Sequence, residues 1–109
     1  MAYDEGLAAR IAEILSERVD VSERKMFGGI AFMVDGHICC GVIRDDLLLR
    51  LGPSSAETAL EQPHVRPMDF TGRSMKGFVC VGPKGVRTEQ QLRKRLDSAL
   101  EFVAALPPK

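Results

Sequence analysis

Three thiols and two imidazoles are the side chains with the widest chemical range in this 109-residue sequence: Cys39, Cys40, Cys80, His37 and His64. A thiolate attacks carbonyls or exchanges disulfides, and thiolate and imidazole both ligate zinc, provided a base, a cation or further ligands stand at suitable spacing. Here the spacing is poor. Cys39 and Cys40 are chain neighbours, no two cysteines form a Cys-x-x-Cys pair, and neither histidine belongs to a His-x-His or Glu-x-x-His pattern. Neighbours on a strand point to opposite faces, so Cys39 and Cys40 are expected to be structural rather than to share an ion. Cys40 and Cys80 would approach only if their strands were adjacent. His37 and Cys39 fall on one strand face, yet nothing that would stabilise an oxyanion accompanies them, and a solvent-exposed His37 beside a half-buried Cys39 is expected. No metal, cofactor or catalytic residue is expected.

Anion binding is the second chemistry to weigh. Gly28-Gly29 and the run Thr71-Gly72-Arg73-Ser74-Met75-Lys76-Gly77 are glycine-rich, but neither has the spacing of a phosphate-binding loop between a strand and a helix. Their glycines are read as backbone devices. Arg73 and Lys76 still sit in the one expected loop that combines glycine, hydroxyls and two cations, which makes them candidates for contact with an anion or an acidic partner. Arg93, Lys94 and Arg95 form the densest basic run. Fifteen basic and fifteen acidic side chains cancel over the chain, with residues 1–54 net −3 and residues 55–109 net +3. That balance and the lack of interleaved aromatics argue against direct nucleic-acid binding without a partner.

The elements that would carry these residues follow from periodicity. Leu7, Ile11, Ile14 and Leu15 recur at helical spacing between Glu5 and Arg18, behind Asp4 as N-cap. Ile30–Val34 and His37–Ile43 flank Asp35-Gly36, a dipeptide suited to a turn with positive φ, and predict a hairpin. Alternation puts Ile30, Phe32 and Val34 with Ile38, Cys40 and Val42 on one face, and Ala31, Met33, His37 and Cys39 on the other. This second face is apolar enough to expect cover from a partner chain. Leu47–Leu51 continues a meander, and a short helix capped by Ser54 or Ser55 reaches Leu60 or Glu61, where Gln62-Pro63 stops it. A short extended piece at Pro67–Phe70 and a strand at Lys76–Val81 follow. Thr88 caps a last helix whose stripe is Leu92, Leu96, Ala99, Leu100, Val103 and Leu106. The result is one α+β domain over residues 1–109: a mostly antiparallel sheet with N-terminal, middle and C-terminal helices packed on it. No apolar run approaches the roughly 20 residues a membrane span needs, and Met1–Glu5 lacks the features of a signal peptide, so a cytoplasmic location is expected.

Met26-Phe27-Gly28-Gly29, one strand, the Asp35-Gly36 turn and the Leu47-Leu48-Leu49-Arg50 strand together resemble the N-terminal domain of the TfoX/Sxy family. The stretch Met68–Gly77 is similar to one subgroup of it. The resemblance implies an α+β domain in proteins connected to natural competence and transcription, with Met26, Phe27, Gly28, Gly29, Asp35 and Gly36 in structural roles and no active site. Full-length regulators of this type carry a further helical domain, which the sequence to Lys109 does not include. The expected function is therefore a non-enzymatic regulatory or protein-interaction domain with a protein partner, a second copy of itself being one candidate. A cysteine-based redox or anionic-ligand-binding protein, and a weak DNA-binding accessory, are the alternatives.

Overall fold

A computed structural model describes residues 3–17, 20–26, 28–70 and 73–107, with the backbone alone at 69, 70 and 73–75. The chain runs α1 (Glu5–Leu15), β1 (Val21–Met26), β2 (Gly29–Val34), β3 (His37–Ile43), β4 (Asp46–Arg50), α2 (Pro53–Ala59), β5 (Val65–Phe70), β6 (Arg73–Val81), a 3-10 turn at Pro83–Gly85, and α3 (Glu89–Ala104). The strands form one antiparallel sheet in the order β1-β2-β3-β4-β6-β5. This is the α+β fold read from the sequence. It is not a simple meander, because β6 slots in beside β4 and leaves β5 at the edge.

Both long helices start at caps visible in the sequence. Asp4 accepts a hydrogen bond from the Leu7 amide at 3.0 Å, and Thr88 and Gln91 form a reciprocal capping box, which satisfies amides that helix geometry leaves without partners. Thr88→Ala is expected to cost about 1 kcal/mol, read as a lower denaturant midpoint at unchanged slope. α1 ends at Leu15, short of Arg18, which lies outside the described residues. The middle helix is capped by Gly52 with Pro53 in its first turn, not by Ser54 or Ser55. Proline has no amide to leave unsatisfied and its fixed φ suits a first turn.

Helix α3 packs over β3 and β4, α1 packs over β3, and α2 packs against β6. Ile11, Leu15, Phe32, Val42, Leu47, Leu49, Val79, Leu92 and Leu96 are almost wholly withdrawn from water between the layers.

Strand β1 is missing from the sequence reading. Four of its six residues, Ser22 to Lys25, are exposed and polar, so it carries no apolar alternation. An edge strand can be polar on both faces, and charges there deter pairing with other chains. The expected loop from Thr71 to Met75 also differs in its described part, Arg73 to Met75. Phe70 pairs with Arg73 and Asp69 with Ser74, so β5 and β6 are joined through positions 71 and 72, and Arg73 opens a strand. Thr71 and Gly72 lie outside the described residues.

The β2–β3 hairpin stands as expected, with positive φ at Asp35 (51°) and Gly36 (84°), but its face assignment needs correction. Phe32 pairs with Cys40 and Met33 with Ile38, leaving Cys39 as the extra residue of a bulge. Alternation restarts there. His37 opposes Val34 on the helix side, and Ile38 opposes Met33 on the outer side, reversing both placements.

Much of the second sheet face is withdrawn from water within the chain itself. Ala31 is 1% exposed, and Leu48, Met68 and Cys80 form a small second core with Ile43 and Phe78 packed on it. Among the described residues, Leu60 is the only large apolar side chain classed as exposed.

Candidate interaction surface

Most sequence candidates have a definite place once the sheet is assembled. In the family-like motif, Met26 pairs with Gly29 across the β1–β2 connection, and Gly28 has φ 73°; Phe27 lies outside the described residues. Gly29 has a stricter reason to be glycine. A Cβ there would stand 2.0 Å from the Val42 carbonyl oxygen, so β2 and β3 approach each other only because the side chain is absent.

The three cysteines are free thiols inside the protein. Cys39 and Cys40 are both fully buried in the main core, so the bulge brings together two side chains expected on opposite faces. A hydrogen bond with Cys39, reinforced by burial, pushes the Cys40 thiol well up from its ordinary range. Cys80 lies in the second core, on β6. Because β4 separates β3 from β6, with Leu49 opposite Cys40 and Leu48 opposite Cys80, Cys40 and Cys80 are not brought together. Burial raises the Cys80 pKa, against the opposing pull of Arg66.

Thiols held protonated are poor nucleophiles. The native chain is therefore expected to react slowly with a thiol reagent at neutral pH and to release all three thiols on unfolding. The raised values also fix the alkaline side of stability. An unfolded thiol gives up its proton near about pH 8.5, before the folded one does, so stability is intact below that pH and falls as pH rises through the folded values. Thermal unfolding scans at rising pH would show this as a falling midpoint, and a flat profile would contradict it.

His37 is 8% exposed, not solvated as expected from its place after a turn. Its Nε2 lies 2.6 Å from the Pro107 carbonyl oxygen. A carbonyl only accepts, so Nε2 carries the proton and ties the start of β3 to the segment after α3. His64 is exposed at the start of β5, and the two imidazoles do not converge. No group of three possible metal ligands occurs among the described residues.

The basic candidates disperse. Lys76 is exposed on β6, and the side chain of Arg73 lies outside the described residues. Arg93, Lys94 and Arg95 point in different directions because successive helix residues turn by about 100°. Arg93 binds Glu89 at 3.2 Å and reaches Glu17 at 3.7 Å, and the Glu89 hydrogen bond raises its pKa. Lys94 is exposed. Arg95 turns towards α2 and donates to Gln62 Oε1 at 2.5 Å, and burial lowers its pKa. The outer face of α3 therefore mixes signs: Glu89, Arg93, Lys94, Asp97 and Glu101 border one shallow depression.

Sequence reasoning missed one ion pair. Arg66 on β5 binds Asp46 on β4 across β6, and that contact raises the Arg66 pKa. No spacing rule could find it, since the strand order decides it.

Comparison with protein families matches the model of the TfoX N-terminal domain to residues 13–103 of the chain. Comparison with curated proteins gives no match.

Proposed function

From the premise that the chain belongs to the TfoX N-terminal domain family, we propose that it is a non-enzymatic regulatory domain that works by binding another protein. In this reading it acts in a bacterial cytoplasm, in the control of competence or transcription that the TfoX/Sxy resemblance implies. The observation that carries the proposal is the outer face of α3, where Glu89, Asp97 and Glu101 alternate with Arg93 and Lys94. A surface of alternating sign complements a protein surface of the opposite pattern and sets its register. It suits a polyanion poorly, because carboxylates flanking the cations repel phosphates and Arg93 is already paired. Burial of all three thiols supports the same reading over redox chemistry.

Affinity capture with the full chain, followed by titration of the purified partner, tests it. The double charge reversal Arg93→Glu with Lys94→Glu changes only exposed side chains and is expected to weaken partner binding about tenfold or more. A chain that sediments strictly as a monomer and retains no specific partner would refute the proposal. So would steeply salt-dependent binding of duplex DNA by the chain alone.

A further inference from the structure

We propose that the cleft between α2 and α3 binds a small organic anion, an apolar body carrying one carboxylate or phosphate, with Arg95 holding the charged head. The cleft encloses about 470 Å3, inside the range of roughly 300–1,000 Å3 common for small-molecule sites. Its floor is apolar, built from Leu49 and Leu51 below and Phe102 at one end. Its walls carry Ser55 on α2, whose hydroxyl can rotate to meet an incoming acceptor, and Thr58 and Ser98, whose hydroxyls donate to the Ser54 and Lys94 carbonyls.

Arg95 supplies the charge. Arg93 and Arg66 are each engaged by a carboxylate, whereas the partner of Arg95 is the neutral amide of Gln62. A guanidinium has five N–H donors, so one bond to Gln62 leaves others for a ligand and fixes the orientation of the fork. The group is also partly withdrawn from water, as its lowered pKa reflects, which strengthens a charge-assisted bond made there. Two helices and a strand end position the site, with α2 running antiparallel to α3. Gln62, beyond the C-terminal end of α2, meets Arg95, and Gly52 at the N-terminal end abuts Phe102. Glu101 also borders the cleft, but it lies six residues along α3 from Arg95, a rise of about 9 Å. A bound anion would therefore place its head at the Arg95 end, away from that carboxylate, and its apolar body over Phe102.

This site goes beyond partner binding and does not require it. Backbone-amide NMR of the full chain, titrated with phenylbutyrate, phenylbutyl phosphate and uncharged phenylbutanol, tests it without a partner. Saturable shifts confined to α2 and α3 are expected with one or both anions, and binding of the alcohol is expected to be about tenfold weaker or more. The two anions together separate a carboxylate site from a phosphate site. Arg95→Met, which keeps the apolar stem, should abolish the preference for the anion, and Ser55→Trp should block all three probes. Ser55 is exposed on α2, so this second variant still decides the matter if the first fails to fold. No saturable shift with either anion, equal binding of the alcohol, or undiminished binding by both variants would overturn the proposal.

Discussion

Gly29→Ala is expected to cost about 3 kcal/mol or more, at the upper end of the range for overpacking. That is a large share of the roughly 5–15 kcal/mol that holds a domain of this size together. The added methyl would stand 2.0 Å from the Val42 carbonyl oxygen and 3.1 Å from its carbon. Both atoms are backbone in the middle of the sheet, so no side chain can swing aside, and relief requires β2 and β3 to separate. Gly28→Ala is the matching control. Gly28 has a positive φ, 73°, unlike Gly29, and a Cβ there meets nothing within 4 Å, so the cost is confined to backbone strain of about 1–2 kcal/mol. Denaturant unfolding of the two variants separates close approach from turn conformation. Equal losses would mean that the strands give way at Gly29 at little cost, and that close approach does not require glycine there.

Leu96→Ala is expected to cost about 2–5 kcal/mol. Leu96 is 0% exposed on the face of α3 that packs over β3 and β4, among side chains belonging to a fold two layers thick. Removing the isobutyl group leaves a cavity that rigid strands on the far side cannot close, so the cavity cost adds to the lost transfer free energy. Leu100→Ala, at a half-buried position on the same helix, is expected to cost less, about 1 kcal/mol. A negligible change in the denaturant midpoint for Leu96→Ala would mean that α3 is not docked on the sheet.

Local chemistry made the caps, the type of each long helix and the β2–β3 turn legible in the sequence. Asp4, Thr88 and Asp35-Gly36 act within a few residues of themselves, through a hydrogen bond to a nearby amide or through a backbone angle. The apolar stripe of α3 was equally plain, because a helix buried on one face repeats its contacts every turn. Polar β1 was not legible: an edge strand is held by backbone pairing, which every side chain permits. The candidate surface was legible as composition only. Arg93, Lys94 and Arg95 read as one patch in the sequence, while in the folded chain one is paired, one is exposed and one turns into a cleft.

By itself the sequence determined the α+β class, the antiparallel hairpin and the two long helices, since each rests on interactions between residues close in the chain. Tertiary structure alone decided the strand order, the bulge at Cys39 that sends His37 to the helix side, the Arg66–Asp46 contact and the pairing of α2 with α3 that encloses Arg95. These depend on which distant segments become neighbours, and that choice follows from how the whole set of apolar faces can be buried at once.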